Sequence, residues 1–557
     1  MTKRKNKFQW EKIYPKGINW DLDIEVKPLF NILDESANTN PDSFCIDFFG
    51  KKYTYNEIAR LSDKFATGLQ KQGVNKGDSV GLLMPNCPLF VIAYYAILKI
   101  GAVVVNYNPL YTANELARQA EDSNTTVMVT LNLRMLHEKT ANLLQTSCVE
   151  KVVVGDFKSY LPFPKNILFS WLKFKEVVNI ECGRVNISAD RLMNNHGFYI
   201  PAIIDPINDV AVYQYTGGTT GTPKATMLTH QNLYANTVQV GMWFDGLEDG
   251  NEIMLGVLPL FHVFAMTVVM NLSVFKACEM VLYPRFEIDT LLKAIKKKKI
   301  TLLPGVPTLF SAINNNVNLD KYNLSSLKFC ISGGAPLPAA VKSKFEEVSS
   351  CKLIEGYGLS EASPVVVANP LFGENKKGSI GIPLPGTVVE VRDIDSSNTR
   401  TKLGKIGEIC VKGPQVMKGY LHNQKETDEI LKSGWLHTGD MGYMDKDGYF
   451  YIVDRLKEMI ITSGFNVYPR EVEEEIYKHN SVEEVCVVGI DDEYRGQVVK
   501  AFIKVKVGHN LTMEQIIIFL KGKLAKYKIP SHIEFINEMP KTLIGKISKR
   551  AVLEKYK

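Results

Sequence analysis

Short apolar runs and helical stripes alternate through most of this chain. Ser79-Val-Gly-Leu-Leu-Met84 has the composition of a buried strand, Leu89 to Ile100 that of a buried helix, and Ala102-Val-Val-Val-Asn106 that of the next strand. Thr126 to Thr130 and Lys151 to Gly155 repeat the theme, and Asp209 to Tyr215 adds a further strand. Such alternation predicts α/β layers built on largely parallel sheet. From Gly378 to Phe450 the pattern changes to short strands separated by turn residues such as Pro385-Gly386, Gly413-Pro414 and Asp447-Gly448. That stretch reads as a β-barrel-like subdomain of a large N-terminal α/β domain. After Asp454 come a helix (Glu471 to His479), a strand (Glu484 to Gly489), a strand (Val498 to Val507) and a helix (Met513 to Tyr527). This last part, of about one hundred residues, has the size of a small α+β domain. The expected division is 1–454 and 455–557, with the joint at Asp454-Arg-Leu-Lys457.

Bulk properties narrow the class. A chain of 557 residues exceeds one ordinary core, and 45% hydrophobic with 23% charged residues is the balance of a soluble globular protein. A net charge of +6 is mild for this length and calls for no nucleic acid partner. The nine cysteines are scattered with no C-x-x-C, which fits free thiols in a reducing compartment rather than a disulfide framework or a zinc site. The start, M-T-K-R-K-N-K-F-Q-W, is basic without an apolar core, so no secretory signal is expected. The apolar stretches Leu89–Tyr107 and Phe261–Pro284 are broken by charged or polar residues, and both read as buried helix followed by buried strand.

The strand at Asp209–Tyr215 runs into Y-T-G-G-T-T-G-T-P-K, residues 215 to 224. Glycines let successive N–H groups converge on one point, threonines add hydroxyl donors, and Lys224 adds a point charge. A phosphate-binding loop at a strand's C-terminal end explains this composition; a surface linker does not require it. It differs from G-x-x-x-x-G-K-[ST], because Thr222-Pro223 precedes the lysine.

Further segments carry chemistry of the same kind. Cys330-Ile-Ser-Gly-Gly-Ala-Pro336 offers small residues for close approach of a flat ring or a phosphate, though Gly-Gly turns are common. In Glu355-Gly-Tyr-Gly-Leu-Ser-Glu361, Tyr357 can lie against a base, Ser360 can meet a phosphate, and Glu361 can hold Mg²⁺; a helix start capped by Ser360 is the plain alternative. Gly434-Trp-Leu-His-Thr-Gly-Asp440 places an acid in a tight turn, suited to ribose hydroxyls, and Arg455 can add a cation there. His262, in an otherwise apolar run, reads by itself as a core histidine. From Ala501 to Lys557 there are twelve Lys or Arg against four Asp or Glu, and Lys546 follows a glycine in a turn that can reach outward.

Taken together these segments resemble the adenylate-forming superfamily of acyl-CoA synthetases, firefly luciferase-like enzymes and nonribosomal adenylation domains. They are most similar to bacterial long-chain fatty-acid–CoA ligases, with the motifs in that family's order from about residue 210 to the end. The resemblance implies ATP-dependent activation of a fatty acid to an acyl-adenylate and its transfer to CoA, with Mg²⁺. It implies that Thr216, Gly217, Gly218, Thr219, Thr220, Gly221 and Lys224 hold the β- and γ-phosphates of ATP. Gly333, Gly334, Ala335 and Tyr357 would line the adenine, with Gly356 and Gly358 beside them. Ser360 would touch a phosphate, Glu361 bind Mg²⁺, and Asp440 and Arg455 hold the ribose. The implied catalytic residues are Lys546, His262 and Lys224. Lys457 would be the hinge of a mobile C-terminal domain, and Ser463 and Gly464 would meet CoA. Two positions depart from the family's habit: Ala225 stands where glycine is usual, and Ser360 where threonine is.

Val263–Thr267 and Gly305–Phe310 would line the acid pocket by the same resemblance; neither carries a charge, so the acid is expected to be apolar and to lack an amine. Ligases for an aromatic or short acid, acyl-AMP ligases loading a carrier protein, and non-catalytic acyl-binding proteins stay open as alternatives. Ser159 to Lys175 places Ile167, Leu168, Trp171 and Leu172 on one helical face with lysines nearby, which suits either a membrane surface or an ordinary packed helix. A cytoplasmic protein, with or without peripheral contact to the inner face of the membrane, is expected. Whether it acts as a homodimer the sequence leaves open.

Overall fold

The computed structural model describes residues 8–172, 175–216, 223–244, 246–394, 399–463, 465–492, 494–542 and 545–556. Two large sheets form the body. The first has eight strands in the order Gly419–Tyr420, Lys224–Thr229, Val210–Thr216, Val103–Asn106, Ser79–Leu83, Thr125–Leu131, Lys151–Gly155, Asn186–Ser188. From Val210–Thr216 to Asn186–Ser188 every pairing is parallel, whereas the first two strands are antiparallel additions. The second sheet has nine strands. Its centre is parallel and runs Leu353–Gly358, Phe329–Ser332, Leu302–Gly305, Ile253–Gly256, Glu279–Leu282, Phe44–Phe48. Parallel strands are covered on both faces, which is why their sequences are near-continuous runs of Val, Ile and Leu.

The helix Pro88–Lys99 is apolar on every side, and each of its residues is buried. Tyr95 donates from its hydroxyl to Asn271 Oδ1 at 3.0 Å, joining this helix to the segment after His262. Its last residue, Lys99, is buried too, and its ammonium is matched by Asp34 at 2.7 Å and Asp63 at 2.6 Å. The stretch after His262 is helical throughout, with a π-helical turn at Met266–Asn271 between short α-helical pieces. No helix among the described residues is long and apolar enough to cross a membrane.

A third sheet is wholly antiparallel: Val388–Arg392, Gly407–Lys412 and Trp435–Met444, with Leu431–Lys432 and Phe450–Arg455 both paired to Trp435–Met444. Among the described residues these pairings form an open path rather than the closed ring of a barrel. A fourth sheet, beginning at Ile460–Thr462, has its own apolar cores around Val487 and Phe502, distinct from the core that extends to Phe450.

Several local expectations shift. Asp440 does not sit in a tight turn but inside the ten-residue strand Trp435–Met444, next to Gly439 at φ +70°. The helix expected over Met513–Tyr527 ends at Leu520, because Gly522, at φ +80°, breaks it and a 3₁₀ turn follows at Lys526–Lys528. Ser360 does not cap a helix with its side chain; it opens a 3₁₀ turn, Ser360–Ala362, after Leu359.

Gly358 is the glycine this architecture depends on beside Tyr357. It lies at a register shift where Leu353–Gly358 meets Val365–Ala368, and a Cβ there would stand 2.0 Å from the Pro364 carbonyl oxygen. Gly358→Ala is expected to destabilise the protein by about 3 kcal/mol, at the upper end for an overpacked site, because backbone rather than a side-chain tip must move. A thermal melt checks this; an unchanged midpoint would show that the Pro364 turn yields freely.

Candidate active site

The strands on either side of the glycine–threonine segment pair with each other. Val210–Thr216 and Lys224–Thr229 pair antiparallel in register Thr216 with Lys224. Gly217, Gly218, Thr219, Thr220 and Gly221 lie outside the described residues. Ala225 is buried within the second strand, opposite Tyr215, and its carbonyl accepts from the Leu421 N–H at 2.9 Å. The extra methyl at this position therefore belongs to the sheet and not to the loop.

Lys224 pairs with Glu426, and its Nζ lies 5.4 Å from the centre of the Tyr420 ring. The Tyr420 hydroxyl in turn donates to Glu361 Oε1 at 2.7 Å. The Glu361 backbone carbonyl accepts from Met417 N at 2.8 Å. The loop lysine and the expected metal carboxylate thus belong to one cluster, bridged by a tyrosine. Asn423 caps the helix Gln424–Ile430 by accepting from Glu426 N at 3.2 Å, which fixes where Glu426 starts.

A second cluster surrounds Asp440. Tyr357 donates from its hydroxyl to Asp440 Oδ2 at 2.6 Å, and Arg455 Nε donates to Oδ1 at 3.1 Å. Asp440 and Arg455 are cross-strand partners, so sheet register sets this ion pair. Burial and the Asp440 charge hold the Tyr357 phenol neutral, far above its ordinary range. A carboxylate has about four acceptor directions, so Asp440 can still receive two hydroxyls. Gly333, Gly334 and Ala335 follow the strand Phe329–Ser332, and a Cβ on Gly333 would press on the Phe264 ring at 3.0 Å.

Lys546 comes to this place from the last part of the chain. Thr542 N donates to the Lys546 carbonyl at 2.7 Å, Gly545 N donates to the Thr542 carbonyl at 2.8 Å, and Lys541 bridges Ile547. Gly545 takes φ +79°, and its carbonyl accepts from Thr308 Oγ1 at 3.0 Å. A Cβ on Gly545 would stand 2.5 Å from that same hydroxyl, so only glycine lets the hairpin dock. Burial, reinforced by repulsion from Arg455, lowers the Lys546 pKa, while Glu458 and Asp440 oppose the shift.

His262 caps the helical stretch that follows it, its Nδ1 accepting from Phe264 N at 3.3 Å. Burial and the nearby Lys546 ammonium push its pKa down to about 4, so the ring is neutral at pH 7. With Nδ1 occupied as an acceptor, the proton resides on Nε2, which is left as a donor. The histidine that reads as core in isolation therefore stands beside the lysine.

The expected hinge and CoA residues follow Arg455 along the chain. Lys457 is exposed in the 3₁₀ turn Leu456–Glu458, between the strand ending at Arg455 and the one starting at Ile460. Ser463, at φ +49°, sits in the turn of the hairpin Ile460–Val467 and donates its N–H to the Arg495 carbonyl at 2.8 Å; Gly464 lies outside the described residues. Ile461 and Phe465 on that hairpin are exposed.

An apolar cavity of about 960 Å³ opens beside the lysine hairpin, lined among others by Phe261, Val306, Thr308, Leu309 and Gly545. Gly305–Phe310 thus contributes to a cavity wall as expected. Val263–Thr267 does not line it and is packed in the core. Sequence reasoning missed Tyr420, Glu426 and the clamp made by Thr308. No local pattern marks them, because each acts on a residue brought in from another strand or another core.

Two family profiles match in tandem: AMP-binding enzyme over residues 33–421 and AMP-binding enzyme C-terminal domain over residues 471–546. The chain is 46% identical to the long-chain-fatty-acid–CoA ligase of Bacillus subtilis (strain 168), an alignment covering 98% of this chain and 97% of that protein. It is 36% identical to the ligase of the same name from Escherichia coli O157:H7, over 97% of each. Among solved structures, ATP-bound MatB from Rhodopseudomonas palustris superposes with a TM-score of 0.83 at 26% identity, over 95% of this chain and 98% of that one. With whole-length relatives above 30% identity and a matching profile over most of the sequence, the chain belongs to the family of AMP-binding enzymes.

Proposed function

We propose that this protein is a fatty-acid–CoA ligase that works in two steps at one cleft. A carboxylate oxygen of the acid first attacks the α-phosphorus of ATP; the bond to the β-phosphate breaks, and pyrophosphate leaves. The thiolate of CoA then attacks the acyl carbon of the adenylate, and AMP leaves. The observation that carries this reading is the apolar cavity whose lining includes Phe261 and Gly545, the chain neighbours of His262 and Lys546. Its size is that of a ligand site, and it leads an apolar tail away from a cationic end.

The residues divide the work by charge. Bringing a carboxylate to a triphosphate sets anion against anion, so cations must offset the repulsion. Lys546 faces the reacting carboxylate and α-phosphate, and Lys224 faces the outer phosphates together with the loop from Thr216. His262, neutral with its proton on Nε2, donates to the carboxylate without adding charge. Asp440 accepts from the ribose while Arg455 and Tyr357 hold it in place. Gly333, Gly334, Ala335, Gly356 and Gly358 leave room for the base, and Ser360 offers a hydroxyl to phosphate. Glu361 fits Mg²⁺, since it is a hard oxygen donor with Oε1 oriented by Tyr420. When bound, that ion would neutralise charge on the phosphates.

The second step needs different groups at the same place. The C-terminal part, 455–557, is read as a unit that turns about Lys457 and brings Ser463 and Gly464 over the adenylate. The exposed apolar side chains of Ile461 and Phe465 on that hairpin support this, because a second arrangement would cover them.

A CoA-ligation screen over acids of increasing length tests the assignment: turnover efficiency is expected to rise from short to long chains. A preference for short or aromatic acids would overturn it. Lys546→Ala and Lys457→Pro should divide the reaction in opposite ways. The first should cut adenylation by about 10²-fold or more, as loss of a preorganised charge does, while sparing thioester formation from supplied acyl-adenylate. The second locks φ near −65° and should spare pyrophosphate exchange while CoA ester formation falls. Parallel loss of both steps in either variant would assign that residue a structural role.

Glu361→Gln should shift the Mg²⁺ titration midpoint upward, because it removes the anionic oxygen and keeps the size. Tyr420→Phe should shift it in the same direction by less. A midpoint unmoved in both variants would remove Glu361 from the metal site.

A further inference from the structure

Glu408, Cys410 and His437 converge on one point of the third sheet. Glu408 and Cys410 alternate along Gly407–Lys412 and leave the same face, with Cys410 Sγ 4.0 Å from Glu408 Oε2. Cys410 lies across from His437, whereas Glu408 lies across from Met441, so the register shifts between the two pairs. That irregularity brings Glu408 back to the histidine. Its Oε2 lies 2.6 Å from His437 Nδ1, and Cys410 Sγ lies 3.5 Å from the same nitrogen. Among the described residues this is the only group of three Cys, His or acidic side chains whose ligand atoms all lie within 4.8 Å of one another. The proposed reaction uses none of the three.

These donors fit a metal ion better than they fit each other. One proton between Nδ1 and the Glu408 carboxylate serves that pair and leaves the sulfur out. Cys410 is wholly buried, yet its sulfur has only these long contacts to the nitrogen and the oxygen of the group. Tetrahedral zinc, bonded at about 2.0 Å to nitrogen or oxygen and about 2.3 Å to sulfur, sets sulfur about 3.5 Å from either partner and the other two about 3.3 Å apart. The sulfur already stands at 3.5 and 4.0 Å. Only the histidine–carboxylate contact has to open, from 2.6 Å by about 0.7 Å, as its proton leaves. Charge agrees with geometry. A thiolate and a carboxylate together are costly in a buried place, and a divalent cation matches both. Arg392, the cross-strand neighbour of Glu408, is paired with Glu390 at 3.1 Å. Thiolate and imidazole favour zinc over the hard ions that suit phosphate. The His437 and Glu408 side chains are 6% and 16% exposed, which leaves the Glu408 side as the way in and a water as the fourth ligand.

We infer that Glu408, Cys410 and His437 bind one thiophilic divalent cation, of which Zn²⁺ fits best, and that its binding weakens the hold of Asp440 on the ribose. The link runs through Glu408. The carboxylate that takes the ion also accepts from Gly439 N at 3.0 Å, and Gly439 directly precedes Asp440. Thr438 Oγ1 ties the same segment to the Ile409 carbonyl at 2.7 Å. Drawing Oε2 away from His437 turns the carboxylate and moves Gly439 with it. The site itself stands on its three side chains; the effect on Asp440 rests on the ribose reading given above. No sequence spacing announces such a site, because two ligands come from one strand and the third from its neighbour.

The test uses the full chain, freed of metal with a chelator. It is titrated with Zn²⁺ against a chromophoric chelator, and separately with Co²⁺, whose bond to thiolate gives a charge-transfer band in the near ultraviolet. The wild type is expected to bind one equivalent and to show the band. Cys410→Ser keeps the size and should abolish the band. It should also weaken Zn²⁺ binding by about 100-fold or more, since even a change behind the ligands can cost that much. His437→Gln should weaken binding similarly while the band remains at saturating Co²⁺. Pyrophosphate exchange is then measured with excess Mg²⁺ and with free Zn²⁺ held by a metal buffer, because ATP itself chelates the ion. The KM for ATP should rise about threefold or more, the equivalent of one net hydrogen bond, with kcat nearly unchanged. Cys410→Ser should not respond to Zn²⁺.

Absence of a bound equivalent overturns the site, as does a Co²⁺ band that survives Cys410→Ser. A bound equivalent with an unmoved KM overturns the link to Asp440. Equal inhibition of Cys410→Ser does the same, because the ion would then be acting at the Mg²⁺ position. No exchange by the wild type without Zn²⁺ would instead sink the ligase reading, and the two titrations would still decide the site.

Discussion

The repulsion between a carboxylate and a triphosphate is the constraint around which this molecule is arranged. Neither anion will approach the other in water, and no single segment supplies enough positive charge to make them. The chain draws its cations from three places: Lys224 from the first sheet, Arg455 from the third and Lys546 from the last core. Bare cations packed together would repel one another, and the structure shows how that is managed. Lys224 is paired with Glu426, Arg455 with Asp440, and Lys549, three residues beyond Lys546, with Glu458 at 2.8 Å. Lys546 has the lowered pKa because burial and Arg455 outweigh the carboxylates near it. It is therefore the cation most in need of an anion, and it stands where the proposed reaction would supply one.

Much of the fold was legible because burial writes itself into composition. A strand covered on both faces must be apolar at nearly every position, and Val103–Asn106 and Lys151–Gly155 stand out for that reason. The helix Pro88–Lys99 is legible the same way. What composition cannot show is where backbone geometry ends an element. Ile516, Ile517, Ile518, Phe519 and Leu520 give no hint that the helix stops before Gly522, since the glycine's left-handed φ decides it and the apolar run does not. Asp440 illustrates the same limit: Gly434 and Gly439 read as turn, yet pairing with Gly407–Lys412 and Phe450–Arg455 carries the segment through as sheet.

The candidate site was legible where one short segment brings its residue into place, as with Gly545-Lys546, whose lysine lies near enough to His262 to lower its pKa. It was not legible where one side chain serves another across the fold. Glu361 is oriented by Tyr420, fifty-nine positions away, and Gly545 is held by Thr308, on the far side of the change of core. His262 belongs to both classes. Its sequence surroundings are those of a core residue, and the core does bury it; only the arrival of Lys546 makes its neutral form matter. A histidine placed there to stay uncharged avoids adding a proton-dependent charge to a site that already gathers three cations.

The docking of Lys546 combines precision with weak attachment. Its position is exact in the steric sense, since Gly545 cannot carry a Cβ against the Thr308 hydroxyl. Among the described residues its hydrogen bond at the tip is a neutral one, Thr308 Oγ1 to the Gly545 carbonyl, of a kind worth about 1 kcal/mol net. Near Lys457 the ties are local: Asp454 accepts from both Arg455 N and Arg470 N, and Arg470 reaches back to the Ile452 carbonyl. If the C-terminal part turns about Lys457 as proposed, a tip held in this way can leave one arrangement for another without a large barrier there. Steric fit then defines where the lysine sits when present, and the modest hydrogen bond defines how readily it goes. A salt bridge at that tip would have fixed the lysine as well but would have cost several kcal/mol to break in a partly buried place. The chain puts a threonine there instead, and keeps its ion pairs on Lys224, which in the proposed reaction exchanges Glu426 for phosphate, and on Arg455, which keeps Asp440 in place.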